Sequence, residues 1–355
     1  MKKLLFVTAF PPNNKSGGQT FSLNLINDLS KSYIIDVLYF TYKNHCIEDN
    51  LCVNSTKSFC ANNLNCINDF TKHPIFTRRF NMNILRYIAD ITMNYDVLFF
   101  DHIQTGIYSL YLIHPYKVIR CHDVMAQKFS RKCKILKTWI KLTERKILNS
   151  VQKIFVPSEK DIKIINTEYG LNANFSHEYI RSFDFYDFDE DSKTFVFFGL
   201  WSRTDNIDGL IWFVKNVLPI INQSCGIEYK VIGGGLSEKI RSKYLDNNKN
   251  IEYLGFVDNP LDIIYKSSAL IAPLFTGAGV KIKVIDAFTT GTPVIGTEIA
   301  FEGIPNMKNL KYTANNAENF AEIIHKFTAL TTKEKMKNAD IFRSLYDKNH
   351  LTEQL

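Results

Sequence analysis

The segment of the sequence best suited to chemistry is a small-residue loop followed by two lysines. The residues concerned are Gly277, Ala278, Gly279 and Val280 in the loop, then Lys281 and Lys283. An apolar run over 269–274 predicts a strand before the loop, and the lysines fall in the predicted first turn of a helix. The helix dipole disfavours cations there, so lysines at this place indicate an anionic ligand. Glycine lets backbone N–H groups approach that anion closely.

A carboxylate completes this pattern. Asp286 follows the lysines by about one helical turn, where it can accept hydrogen bonds from sugar hydroxyl groups. Anion and hydroxyl recognition together fit a nucleotide diphosphate sugar. The alternative is an ordinary strand–helix turn with two solvated lysines, or with Lys283 paired to Asp286 at a spacing of three residues.

Further candidates follow predicted strands in the first half of the chain. His122 comes directly after a strand at 118–121, and His102 follows a strand at 97–100. Gly17 and Gly18 lie in the first loop, where a backbone without side chains can approach a phosphate or an acceptor. Their alternative is a flexible turn before a helix capped by Thr20.

The elements that must position these residues alternate between strands and helices. The second half gives strands near 194–198, 228–232, 251–256, 269–274 and 293–296 with helices between them, and the first half repeats the pattern less regularly. Such alternation predicts parallel sheets that bind ligands at the carboxyl ends of their strands. We therefore expect an α/β chain of two Rossmann-like domains facing each other across a deep cleft.

The domain boundaries follow from composition. The amino-terminal domain is predicted over 1–182, with an Asn-rich irregular insertion at 45–80. An acidic, aromatic linker at 183–192 precedes a carboxyl-terminal domain at 193–335. A helix within 336–355 is expected to cross back to the first domain.

Composition excludes several classes of protein. The chain has 355 residues, of which 45% are hydrophobic and 22% charged, as in globular proteins. No run of 18 apolar residues predicts a transmembrane helix, and the short apolar start is interpreted as a first strand rather than a signal peptide. Seven cysteines without a CxxC pair indicate free thiols in a reducing cytoplasm.

The net charge of +7 is concentrated in one segment. Residues 128–153 hold nine lysines or arginines against the single acid Glu144, with apolar residues at helical spacing. This pattern predicts a basic amphipathic helix that contacts an anionic membrane surface or an acidic ligand, or simply covers the core with its apolar side. No nucleic-acid reader motif accompanies it, so we expect no nucleic-acid partner.

A series of motifs in the second half resembles one branch of the retaining glycosyltransferase family four, which has the GT-B fold. The series is Phe197-Phe198-Gly199, Asn206 with Trp212-Phe213, Tyr253-Leu254-Gly255-Phe256-Val257, the 277–288 segment, Gly291-Thr292-Pro293 and Phe301-Glu302-Gly303. Weaker matches in the first half are Pro11-Pro12, Gly17-Gly18, His122-Asp123 and Ser158.

The resemblance implies a metal-independent, cofactor-free transfer of a sugar, with retention, from a nucleotide diphosphate sugar. The acceptor would be a glycan or lipid-linked oligosaccharide in bacterial surface polysaccharide synthesis, and the enzyme would be cytoplasmic, peripheral on the inner face of the plasma membrane. Catalysis would rest on stabilising the departing diphosphate and on positioning.

The resemblance also implies individual roles. Lys281 would face the diphosphate, the 277–280 backbone would bind phosphate or sugar, and Asp286 would bind ribose where relatives usually have glutamate. The domain at 1–182 would bind the acceptor and the domain at 193–335 the nucleotide sugar. His122 would bind the donor sugar, with a structural histidine as the alternative, and Glu302 matches a site position without an assigned role. His102 is an acceptor-side candidate because it follows an analogous strand end. Two family residues are missing: Ala278 replaces a second carboxylate, and Leu200 replaces an arginine, for which Arg203 is the expected substitute.

Two other functions remain open at this point. A GT-B-like sugar-nucleotide epimerase would need several carboxylates and histidines for acid–base work. A non-catalytic glycan-binding subunit that kept the fold is the third reading.

Overall fold

The computed structural model describes residues 1–13, 17–41, 51–61, 72, 74–130, 134–176, 181–188, 193–221, 226–277, 279–346 and 351–355. The chain divides into two compact units, which we call the amino-terminal unit and the carboxyl-terminal unit. The first comprises Met1–Tyr179 with Asn349–Leu355, and the second comprises Ile180–Lys348.

The amino-terminal unit is built on a seven-stranded sheet in which every pairing is parallel. Its strands are β1 (Lys2–Thr8), β2 (Tyr33–Thr41), β3 (Ser55–Cys60), β4 (Val97–Asp101), β5 (Lys117–Arg120), β6 (Lys153–Val156) and β7 (Asn174–Phe175), in the order β3-β2-β1-β4-β5-β6-β7. Its helices are α1 (Gly17–Leu29), α2 (Pro74–Thr77), α3 (Met82–Thr92), α4 (Met125–Ser130), α5 (Lys134–Asn149) and α6 (Glu159–Ile164). The central strands are apolar on both faces because helices cover both sides of the sheet.

Two segments of this unit differ from what the sequence predicted. The segment 45–80 was expected to be irregular, yet it contains the edge strand β3 and the helix α2; residues 45–50, 62–71 and 73 lie outside the described part. The basic segment 128–153 was expected as a helix; its described residues up to Asn149 are helical, in α4 and α5, residues 131–133 lie outside the description, and Lys153 begins β6. In α5, Ile140 and Ile147 are buried, as the helical spacing requires.

The carboxyl-terminal unit contains a six-stranded parallel sheet in the order β10-β9-β8-β11-β12-β13. The strands are β8 (Thr194–Phe198), β9 (Glu228–Ile232), β10 (Ile251–Gly255), β11 (Ala269–Ala272), β12 (Val294–Gly296) and β13 (Lys311–Thr313). The helices are α7 (Thr204–Asn216), α8 (Glu238–Tyr244), α9 (Pro260–Lys266), α10 (Ile282–Thr289), α11 (Ala317–Lys326) and α12 (Thr332–Tyr346). The strand order reverses beside β8 and β11, so their carboxyl ends form the switch point at which such sheets bind ligands.

The segment 183–188, expected as a linker, is anchored within the carboxyl-terminal unit. Its aromatic rings surround Tyr265 of α9, and Arg343 of α12 donates a hydrogen bond to the Phe183 carbonyl. The fully buried ammonium of Lys335 donates to the carbonyl oxygens of Tyr265 and Ser267, which satisfies the end of α9. The linker and helix α12 therefore stabilise the same surface.

The end of the chain belongs to the other unit. Helix α12 lies in the carboxyl-terminal unit, whereas residues 351–355 pack in the amino-terminal unit, where Gln354 donates to the Phe175 carbonyl at 3.0 Å. The ammonium of Lys153 donates to the Gln354 carbonyl. No helix among the described residues combines the length and the hydropathy that a membrane span requires.

Candidate active site

The loop between β11 and α10 has the backbone that its glycines suggest. Gly277 and Gly279 have φ angles of 122° and 71°, in the region that disfavours residues with a Cβ. Helix α10 begins at Ile282, so Lys281 precedes the helix as its N-cap residue rather than lying in its first turn. The Lys281 side chain is buried, and its Nζ donates to the Gly279 carbonyl at 2.6 Å. The ammonium is thus held against the loop. Ala278 lies outside the described residues, and Val280 is half-buried.

Lys283 reaches the neighbouring strand end. Its Nζ donates to Oδ1 of Asn206 at 2.7 Å, and Nδ2 of Asn206 donates to the Leu200 carbonyl at 2.9 Å. A Cβ on Gly199 would lie 3.1 Å from Nζ of Lys283 and 2.9 Å from Nδ2 of Asn206. Glycine at 199 therefore makes room for this contact. The alternative pairing of Lys283 with Asp286 is not formed.

Burial lowers the pKa of the Lys283 ammonium and so controls its charge near neutral pH. Removal of its ammonium from water lowers the pKa to about 7, the Asp205 carboxylate opposes that change, and Arg203 and Lys281 add to it. An anionic ligand binds the charged form, so we expect affinity for a nucleoside diphosphate to fall as pH rises above 7. One proton with a pKa of about 7 predicts a loss of about fivefold between pH 7 and pH 8.

Isothermal titration of the protein with its preferred nucleoside diphosphate at both pH values measures this effect. The control is Lys283→Arg, whose side chain stays charged over the whole range. An identical pH slope in the variant and the natural protein would contradict the role of Lys283.

Asp286 is buried in the second turn of α10. Its Oδ1 lies 3.6 Å from Nε of Arg181, and its Oδ2 has no hydrogen-bond partner among the described residues. Burial raises the pKa of this carboxyl to about 6, and Arg181 opposes the rise. An open acceptor on a buried carboxylate is costly, and a ligand hydroxyl would satisfy it.

Arg203 and Glu302 complete the sequence candidates in this unit. Arg203 directly precedes α7, is half exposed, and donates from Nε and Nη2 to Asp205 at 3.0 and 2.7 Å. Glu302 follows a 3₁₀ turn at Glu298–Phe301 and is half-buried. A Cβ on Gly209 would lie 2.2 Å from the Pro273 carbonyl oxygen, so glycine there lets α7 pack directly on the end of β11.

In the amino-terminal unit, the buried carboxylate of Asp101 joins the ends of three strands. Its Oδ1 accepts from Nε of Arg120 at 2.8 Å and lies 3.0 Å from Nε2 of His122. Its Oδ2 accepts from the hydroxyls of Ser22 at 2.5 Å and Thr8 at 3.3 Å. Burial alone would raise the pKa of Asp101. Arg120 and the two neighbouring histidines nevertheless hold this pKa well below its usual range.

His102 and His122, both expected site residues, lie together on this carboxylate. Their rings stack with centroids 3.8 Å apart, and a Cβ on Gly18 would lie 3.7 Å from Nε2 of His102 and 4.0 Å from Nδ1 of His122. Burial, followed by the effect of His102, lowers the pKa of His122 to about 4, so the ring is neutral at physiological pH. A neutral imidazole can accept as well as donate a hydrogen bond.

Two backbone features lie close to these histidines, the start of α1 and the conformation of His102. Helix α1 begins at Gly17, so Thr20 lies inside the helix and is not its cap. His102 has φ 73°, the only positive value among the described non-glycine residues. Such a conformation costs about 1–3 kcal/mol and is found mainly at functional sites.

The ligand atoms of Asp101, His102 and His122 fall within 4.8 Å of one another, a spacing that suits a metal ion. However, Arg120 already contacts two of these three residues. Its Nη2 lies 3.1 Å from Nε2 of His122, and its Nε donates a hydrogen bond to Asp101. A guanidinium already neutralises this carboxylate, and its positive charge disfavours a further cation. The cluster is better suited to hydrogen bonding than to metal binding.

Several residues that complete these sites were not predicted from the sequence: Asp101, Arg120 and Ser22 in one unit, and Arg181 and Asp205 in the other. Asn206 was named only as part of a motif. Asp101 had a usable signal, since it ends a buried apolar run at the carboxyl end of a predicted strand. Arg181 had none, because its partner Asp286 lies 105 positions away in the sequence. Asp205 had none as a site residue, because the Gly277 loop beside it lies far along the chain.

The chain is similar to known proteins in sequence and in fold. Residues 192–329 match the family model of glycosyl transferases group 1. A protein encoded in the cps region of Klebsiella pneumoniae, described as an uncharacterized 44.6 kDa protein, is 30% identical over 131 residues. That match covers 35% of this chain and 34% of the Klebsiella protein, so it spans about a third of each.

Solved structures agree over nearly the whole chain. Sucrose-phosphate synthase from Thermosynechococcus elongatus superposes with a TM-score of 0.72 at 14% identity, covering 96% of this chain and 95% of that one. TarM of S. aureus, solved with fondaparinux, α-GlcNAc-glycerol and UDP, superposes with a TM-score of 0.71 at 13% identity. The match covers 100% of this chain and 98% of the TarM chain. Identities this low establish the fold alone. The chain therefore has the GT-B fold of glycosyltransferases, and its residues 192–329 carry the sequence pattern of glycosyl transferases group 1.

Proposed function

We propose that this protein is a retaining glycosyltransferase that moves a sugar from a nucleotide diphosphate sugar to a glycan or lipid-linked acceptor. The observation that carries the proposal is the loop at 277–283. The buried Lys281, the half-buried Lys283, glycines with positive φ and the open carboxylate oxygen of Asp286 lie on one loop–helix element at the switch point of the sheet. Anion binding and hydroxyl binding are both provided there.

In this proposal the carboxyl-terminal unit stabilises the leaving group. The ammonium groups of Lys281 and Lys283 neutralise the charge that develops on the departing diphosphate, and the loop N–H groups bind its oxygens. Asp286 accepts from a ribose hydroxyl with its open oxygen. No side chain needs to attack the anomeric carbon, because the departing phosphate accepts the proton of the acceptor hydroxyl on the same face. The reaction needs neither a metal ion nor a cofactor.

The amino-terminal unit provides hydrogen bonds to hydroxyl groups. The neutral ring of His122, fixed by Asp101, accepts from a sugar hydroxyl, and His102 acts with the Gly17–Gly18 backbone on the acceptor side. The product belongs to a bacterial surface polysaccharide, and the location of the Klebsiella relative in a cps region supports this assignment. The enzyme works in the cytoplasm, and helix α5 with its exposed Arg145 and Lys146 rests on the anionic membrane surface.

A thermal-shift screen tests this function. Purified protein is heated with UDP, GDP, ADP, dTDP and their common sugar derivatives, each at about 1 mM. A ligand at 100 times its Kd stabilises the folded protein by about 2.7 kcal/mol, which raises the Tm of a unit of this size by about 5–10 °C. We expect one nucleotide family to do so, and its sugar derivative to be hydrolysed slowly without an acceptor.

Two results would redirect the proposal. If no nucleotide diphosphate or nucleotide sugar changes the Tm, the carboxyl-terminal site is not a donor site. If the protein releases an epimerised sugar without an acceptor, the acid–base cluster of Asp101, His102 and His122 serves a GT-B-like epimerase instead.

A further inference from the structure

Asp205 adds a carboxylate to a site that already holds the two lysines and the carboxylate of Asp286. It is the second residue of α7, and its Oδ2 lies 3.6 Å from the position that a Cβ on Gly277 would occupy. The Nζ of Lys281 lies 3.8 Å from the same point. The Asp205 carboxylate and the Lys281 ammonium therefore both lie close to Gly277.

A site that bound only a diphosphate would gain nothing from this arrangement. A carboxylate beside phosphate oxygens is repelled, and it would weaken the attraction of Lys281 and Lys283 for the anion. A sugar diphosphate differs, because hydroxyl donors lie directly beside the second phosphate. A carboxylate next to the ammonium groups therefore suits a ligand with both an anionic and a hydroxyl-rich part.

The geometry leaves Asp205 able to accept such hydroxyls. An ionised carboxylate has about four acceptor positions. Arg203 occupies one on each oxygen, at 3.0 and 2.7 Å, and the backbone N–H of Asp205 itself also donates to the carboxylate, which leaves one position for another donor. The two bonds from Arg203 fix the orientation of the carboxylate. The side chain of Asp205 is only 13% exposed, so water does not screen it strongly.

We infer that Asp205 binds a hydroxyl group of the transferred sugar and helps to select that sugar, with Arg203 as its positioning residue. This inference rests on the proposed function. It also accounts for a gap in the sequence, since Ala278 offers no carboxylate on the loop itself. The competing explanation is structural: an acid in the first turn of α7 that favours the helix dipole and pairs with Arg203.

The test compares Asp205→Asn with Asp208→Asn, an exposed aspartate of the same helix. The probes are the nucleoside diphosphate and the nucleotide sugar that the natural protein prefers among UDP, GDP, ADP and dTDP forms. We expect Asp205→Asn to bind the bare diphosphate equally well or more tightly, because a repulsive charge is lost. The same variant should lose about 10- to 100-fold in kcat/KM for the nucleotide sugar, and Asp208→Asn should change neither.

Deoxy donors make the test specific. The donors are nucleotide sugars that each lack one hydroxyl. One of these deoxy donors should bind the natural protein as weakly as the full donor binds Asp205→Asn. Binding of that same deoxy donor should not become weaker still when Asp205→Asn replaces the natural protein. Arg203→Ala should act in the same direction with a smaller loss, and far-UV circular dichroism and Tm confirm that the variants are folded.

The failures can be told apart. If the natural protein binds no nucleotide, the proposed function is wrong and this inference falls with it. If the natural protein transfers sugar, but Asp205→Asn weakens diphosphate and nucleotide sugar equally or affects every deoxy donor alike, only the role of Asp205 is wrong.

Discussion

Lys281→Ala is expected to reduce kcat/KM for sugar transfer by about 100- to 1000-fold, a loss of about 2.7–4 kcal/mol of transition-state stabilisation. The reason is geometric. The ammonium of Lys281 is buried and held by the Gly279 carbonyl beside the loop where the leaving phosphate is proposed to bind. An interaction made with developing charge in a site shielded from water acts on kcat as well as on KM. Steady-state kinetics with the preferred nucleotide sugar measures both.

The matched control is Lys326→Ala in the same unit. Lys326 is highly exposed and pairs with Glu322 across one turn of α11, so its loss should leave both the stability and the kinetics essentially unchanged. Retention of kcat/KM within about threefold in Lys281→Ala would rule out a role for this ammonium in leaving-group stabilisation.

Asp101→Ala should be the most destabilising single substitution in the amino-terminal unit, at about 3–5 kcal/mol. The substitution leaves the buried guanidinium of Arg120 without its carboxylate and removes the common partner of Ser22 and His122. Sugar transfer should be lost with it, because His122 loses its orientation. Urea denaturation, followed by tryptophan fluorescence and by circular dichroism, measures the free energy of unfolding.

The pH dependence makes this prediction specific. Because Arg120 and the histidines hold the pKa of Asp101 well below its usual range, its ionised form stabilises the fold above the usual aspartate pKa of about 4, and that stabilisation is lost as pH falls further. The variant should lack this acid dependence. Ser22→Ala removes one donor to the same carboxylate and should cost less, about 1.5–3 kcal/mol. Equal destabilisation by the two substitutions would show that the charge of Asp101 is not the organising feature.

Local patterns were sufficient for much of the fold. The strands around Gly199, Gly277 and His122 were predicted because buried parallel strands are short apolar runs that end in small or polar residues. The edge strand β3 was missed because its side chains are mostly exposed and polar, which removes the apolar signal.

The sequence by itself determined the class of the fold and the chemistry of the loop at 277–283, since glycines, lysines and a carboxylate at that spacing interact through one continuous element. Only the tertiary structure decided the partners. It paired Lys283 with Asn206 rather than Asp286, brought Arg181 to Asp286, and placed Asp101 beneath two histidines. These contacts join residues up to 105 positions apart, and parallel strands bring such residues to one edge only after the sheet has formed.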